Sequence, residues 1–268
     1  MSTAALPLPT APSTGLARNL RIFATETRYE FIRMLRTRAF SLSVIGFPVM
    51  FYCLFGLLMN RGESIDNTSV AKYMLAGYSV FGLVGASLFG IGVGMANELN
   101  VGWLELKRAS PMPPLAYLLA KCVTAMGFGI IIVSTLCLLG ITFAHVHLTL
   151  SEYARMIALA IAGAVPFACL GLVVALTVPA NSAPGIANMI YLPMSFCSGL
   201  WVPFKFLPHA LQAIAPALPS YHLVQLMLGI FHYPSKGSTS GHWYGLIGFT
   251  LIMLGIARIA FRRREQNS

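Results

Sequence analysis

Charge is what this sequence has least of. Of 268 residues, 18 are Lys or Arg and 8 are Asp or Glu, so 10% of the chain is charged while 57% is hydrophobic. Soluble domains carry about 25% charged residues, and so thin a supply cannot cover a water-exposed surface. A soluble enzyme or binding module is thereby excluded. Cysteine is also sparse. Cys53, Cys122, Cys137, Cys169 and Cys197 all lie inside apolar runs without a Cys-x-x-Cys pair, which argues against a disulfide scaffold or a thiolate metal site. No lysine precedes Ser or Thr, so the chain has no phosphate-binding loop and no nucleotide site of its own. Energy for uphill work would have to arrive from a partner. Acidic residues are absent from the interiors of the apolar runs, where ion-coupled transporters and intramembrane enzymes need them. His145 and His147 could share a metal ion, but two ligands are too few, and no metal site is expected. The net charge of +10 is concentrated at the chain ends and in loops, not along a face that would track nucleic acid.

Long apolar runs are what remains, and they give the fold class: an all-α polytopic membrane protein. Charge-free stretches lie between Arg38 and Arg61, Lys72 and Glu98, and Lys121 and Glu152. Each exceeds the roughly 20 helical residues that a bilayer core requires. The stretch from Arg155 to Lys205 is twice as long and is broken by Pro-Ala-Asn-Ser-Ala-Pro-Gly at 179–185, so it reads as two spans. A last run covers Trp243 to Ile256. Arginines crowd the N-terminal segment and the C-terminal tail, and Lys107, Arg108 and Lys121 flank the second loop, which puts both termini in the cytoplasm. An even span count follows. The proline- and histidine-containing region 206–230 then reads as two short re-entrant helices on the outer side, not as a seventh span. The expected layout is a flexible tail (1–18), an amphipathic interfacial helix (19–38), a transmembrane domain (39–261) and a basic tail (262–268). The six spans are expected near 39–59, 73–96, 117–143, 155–178, 186–202 and 243–260.

Four features carry function or packing. In the helix over 19–37, Leu20, Phe23, Ala24, Thr27, Phe31, Met34 and Leu35 share one stripe, while most of Arg21, Glu26, Arg28, Glu30, Arg33 and Arg36 lie off it. Such a helix would rest in the membrane interface, its arginines meeting lipid headgroups or a partner. In the second span Gly82, Ala86, Gly90 and Gly94 recur at every fourth residue, a ladder for close helix packing or for a translocation path. In the fifth, Pro193 with Ser195 and Ser198 predicts a locally broken helix in the outer half. The segment Asn97 to Tyr117 is the only cytoplasmic loop with room for structure; alone it could dock a partner or be merely solvated.

That loop resembles the corresponding loop of type-2 ABC exporter permeases, in which an acidic residue precedes Gly-Thr-Leu-Glu, a basic residue and Ser-Pro. Here Glu98 is followed by Gly102-Trp103-Leu104-Glu105 and by Lys107-Arg108-Ala109-Ser110-Pro111, with Trp103 in place of the threonine. A second match is Ser198-Gly199-Leu200-Trp201-Val202-Pro203, then Leu207-Pro208, then Leu218-Pro219-Ser220-Tyr221. It is similar to the family's outer re-entrant pattern. The resemblance spans about 19–265 and leans toward the drug and antibiotic-resistance branch. It implies a permease subunit of an ATP-driven exporter in a bacterial plasma membrane, moving a hydrophobic or amphipathic drug-, antibiotic- or lipid-like substrate. Glu98, Gly102, Trp103, Leu104, Glu105, Lys107, Arg108 and Pro111 would couple to an ATPase. Phe23, Arg28, Phe31, Arg33 and Arg36 would serve the interfacial helix, and Pro193, Ser198, Gly199, Pro203, Pro208, Pro219 and Tyr221 an outer gate. The implied partners are two copies of an ABC ATPase, which would hold the ATP and magnesium, and a second permease copy or paralogue. This chain itself would be a transporter subunit, not an enzyme, with membrane lipid around it. The competing reading is a secondary transporter or channel without an ATPase.

Overall fold

The computed structural model describes residues 16–58, 64–65, 68–102, 114–234 and 237–266, and these are almost wholly helical. Helix α1 is Leu16–Arg36 and α2 is Arg38–Phe51, extended by a wide π turn over Tyr52–Leu58. The junction is Thr37, whose ψ of 89° leaves the helical region while Ser41 Oγ lies 2.8 Å from the carbonyls of both Met34 and Leu35, at the end of α1. A two-residue strand pair, β1 (Ser64–Ile65) with β2 (Thr68–Ser69), leads into α3 (Val70–Ser87). Ser69 caps α3 by accepting the Lys72 N–H. A π segment (Leu88–Val93) follows, then α4 (Gly94–Asn100). Beyond 103–113 come α5 (Pro114–Phe143) and α6 (Leu150–Thr177). Thr149 and Glu152 close a reciprocal capping box at the start of α6. The chain ends with α7 (Ala183–Cys197), α8 (His209–Ile214), α9 (Pro219–Gly229) and α10 (Thr239–Gln266).

Nearly every residue of α3 is buried, because α2, α5, α6 and α9 pack around it. Its end in α4 packs with the start of α5, the end of α6 and the start of α7, through Met95, Ala96, Tyr117, Ala175 and Ala183. Its start lies at the opposite end of the bundle, beside the turn after α7 and beside Tyr233. Thus α7 connects the two ends although it has only 15 residues.

Among the described residues, five helical segments are long and apolar enough to cross a membrane: Arg38–Leu58, Val70–Asn100, Ala116–Phe143, Leu150–Thr177 and Thr239–Arg263. The expected fifth span, 186–202, is replaced by the shorter α7. That helix runs through Pro193 instead of breaking there, since proline removes a single ladder bond and Ser198 N–H still reaches Met194 O. The break comes at Gly199, whose φ of +79° reverses the chain at a position glycine accepts without strain. Region 206–230 contains two short helices, as expected, joined by a 3₁₀ turn at Ala215–Ala217.

Candidate functional site

The strongest concentration of chemistry sits where α1 meets α4 and α5, the helices on either side of residues 103–113. The Lys121 ammonium, on α5, donates to Glu30 Oε1 at 2.6 Å and to Glu98 Oε1 at 3.0 Å. Arg33 joins both carboxylates, lying 2.8 Å from Glu30 and also bonded to Glu98. Tyr117 donates its hydroxyl to Glu98 Oε2, and its ring lies under Lys121. Two carboxylates and two cations therefore balance, with the Lys121 side chain only 1% exposed. Burying charge is tolerable only with partners of this kind. Burial alone would lower the Arg33 pKa, but the bond and charge of Glu98, then of Glu30, outweigh it and raise it, so Arg33 stays cationic.

This arrangement corrects the helical wheel expected for α1. Glu30, off the expected stripe, is buried, beside Phe23, Thr27, Phe31 and Met34 of the stripe, which are half-buried. The cluster requires this: Glu30 must face Lys121, and Phe31 packs on Phe128 at 5.4 Å. Phe23 is half-buried; Arg28 and Arg36 are exposed. Glu98 is buried in the cluster and Gly102 ends the described segment with φ +71°. Trp103, Leu104, Glu105, Lys107, Arg108 and Pro111 lie outside the described residues.

A crevice of about 770 Å³ adjoins the cluster and is walled by α2, α3 with its π segment, and α7. Arg33, Thr37 and Asn97 line one end; Phe51, Phe81 and Trp201 line the other. The walls between are apolar and aromatic, with Phe81 stacked on Tyr191 at 4.7 Å. The Trp201 indole N–H has no hydrogen-bond partner among the described residues. The glycine ladder contributes unevenly. Gly90 and Gly94 line the crevice, while Gly82 presses against Pro48 and Ile132 and Ala86 is in the core. The π segment between Leu88 and Val93 adds a wide turn, so a spacing of four no longer keeps these residues on one face.

At the opposite end, most of the residues expected around an outer gate gather in one turn. Tyr73 donates to Gly199 O and accepts the Phe204 N–H. Ser198 and Ser220 Oγ atoms are 2.5 Å apart, and Tyr221 packs on Phe204. Pro203 is buried, Pro208 precedes α8, and Pro219 opens α9 where its missing N–H costs nothing. Pro193 is exposed on α7, away from this turn's bonds. His145 and His147 are both exposed.

Sequence reasoning missed Tyr117 and Glu30 as members of the cluster. The available signal was Lys121 itself: a lysine inside an apolar run has to find a carboxylate.

The family model described as ABC-2 type transporter matches residues 22–232. The chain is also 28% identical over 249 residues to the Bacillus subtilis (strain 168) protein named "Putative transport permease YvfS", covering 92% of this chain and 99% of that protein.

Proposed function

This chain belongs to the ABC-2 type transporter family and is an ABC transporter membrane subunit; on that premise we propose that it exports hydrophobic or amphipathic cargo, driven by a separate ATPase docked on loop 103–113. The observation that carries this reading is the family match over 22–232, which takes in both the loop and the crevice. The absence of a phosphate-binding lysine supports an ATPase on another chain, which would hold ATP and magnesium. The apolar, aromatic crevice, polar at its Arg33–Asn97 end, supports drug-, antibiotic- or lipid-like cargo. Two ATPases and a second permease copy or paralogue complete the assembly. It sits in a bacterial plasma membrane with both termini cytoplasmic. In this reading α7 is the fifth of six spans, a short one, and α8 and α9 are re-entrant on the outer side. ATP-driven closure of the ATPases changes the relative stability of two packings of the bundle, which is alternating access.

Glu105 tests the docking. A carboxylate in the loop can accept charge-assisted hydrogen bonds from the partner, each worth about 1.5–3 kcal/mol. Glu105→Ala is expected to insert into the membrane normally and to lose most cargo-stimulated ATP hydrolysis, while Glu63→Ala, in the loop after α2, changes neither. Normal transport by Glu105→Ala in an assembled complex contradicts the assigned contact.

A further inference from the structure

We propose that Lys121 is a positioning residue for transport: it fastens α1 to α4 and α5, the helices on either side of residues 103–113, so that movement of an ATPase docked there is delivered to the crevice wall. The inference rests on the reading above that the loop meets an ATPase. Glu98 precedes the loop on α4, Lys121 follows it on α5, and Glu30 belongs to α1. Lys121 bonds to carboxylates on both other elements at once, from a side chain that is 1% exposed. Without it the two carboxylates would be left to Arg33, which is 37% exposed, and to Tyr117.

Stability is a poor explanation for such a cluster. Replacing buried ion groups by apolar residues of similar volume is often neutral or stabilising, and the best-attested use of buried charge is to fix registry or a switch. Directional bonds at 2.6 and 3.0 Å resist sliding of one helix past another in a way that apolar packing does not. The far side of the joint is the crevice. Arg33 belongs to both the cluster and the crevice wall, and Met34 beside it lies so close to Gly90 that a Cβ there would be 2.6 Å from Met34 Cε. Helices α4, α5 and α1 and the π segment of the crevice are therefore linked through a short series of direct contacts.

The test uses the complete complex with its ATPase in lipid nanodiscs and proteoliposomes, with a fluorescent amphiphile as cargo. Lys121→Met is expected to assemble and hydrolyse ATP, but to move about tenfold less cargo per ATP, the scale of ordinary coupling between sites. Lys121→Arg restores most of the loss. Because Lys121→Met leaves carboxylates under-paired, the charge-balanced double variant Glu30→Gln/Lys121→Met is measured beside it, with the same loss expected. Spin labels at the exposed positions Arg28 and Leu150 report whether α1 shifts against the bundle when ATP binds. The shift is expected in the native complex and in Lys121→Arg, and not in Lys121→Met or the double variant. Native transport per ATP in both Met variants, with the shift retained, overturns the proposal alone. A native complex without ATP-driven transport overturns the underlying reading instead.

Discussion

At Gly77 there is no room for one more methyl group. A Cβ on this α3 residue would lie 2.3 Å from the Leu200 carbonyl oxygen, and a backbone atom in a tight turn cannot rotate away. Gly77→Ala is expected to destabilise the bundle by about 1–3 kcal/mol, seen as a lower melting temperature in detergent. Gly46→Ala serves as the contrast, because nothing lies within 4 Å of the added carbon. There the lost backbone freedom of the unfolded chain favours alanine. Equal melting temperatures for the two variants would contradict the packing described. A second residue-scale expectation concerns pH. His222 and His242 face each other with Nδ1 atoms 3.0 Å apart, so one ring must be neutral to accept the bond. Burial lowers the His222 pKa, and the Pro216 carbonyl only partly offsets this. The neutral form is thus favoured by folding. Its contribution is complete above the ordinary histidine value of about 6.5 and is lost as pH falls below that toward the lowered value. Protection from hydrogen exchange at the start of α10, taken relative to the intrinsic rate at each pH, should fall as pH drops below about 6.5, and His222→Gln should remove the dependence. Protection that stays constant across this drop in the native chain would refute it.

At the scale of elements, the turn after α7 hangs on Tyr73. Its hydroxyl bridges Gly199 O at 2.8 Å and the Phe204 N–H at 3.2 Å, tying the start of α3 to the chain leading into α8. Tyr73→Phe leaves both groups unpaired, at about 1–3 kcal/mol each, and is expected to raise hydrogen exchange at Phe204 to Leu207 while leaving α5 unchanged. Unaltered exchange at Phe204 would show that the bridge contributes little. Elements such as these were unevenly legible in the sequence. Long apolar runs and flanking charges locate α2, α3, α5, α6 and α10, because composition and length suffice for a helix in lipid. Caps such as Ser69 and the Thr149/Glu152 box announce themselves locally. The π segment at Leu88–Val93 did not, and it breaks a ladder that spacing alone made continuous. The burial of Glu30 was hidden for another reason. A helical wheel ranks Glu30 by polarity, whereas its burial depends on Lys121, 91 residues away in the chain.

The whole molecule combines an apolar bundle, a crevice and a buried ion cluster joining α1, α4 and α5, in a chain that has no phosphate-binding lysine. In the proposed account these parts divide the labour. The crevice holds cargo, the cluster joins α4 and α5 to the crevice wall, and a second chain supplies the energy. The expectation at this scale is strict dependence of transport on that second chain and on ATP. Uptake of a fluorescent amphiphile into inside-out proteoliposomes tests it most directly, comparing the chain alone with the chain plus its co-purifying ATPase. The account predicts uptake only when ATPase and ATP are both present, and none driven by a proton or sodium gradient across the chain alone. Gradient-driven uptake by the isolated chain, undiminished without ATPase or ATP, would contradict it and establish a secondary transporter in its place.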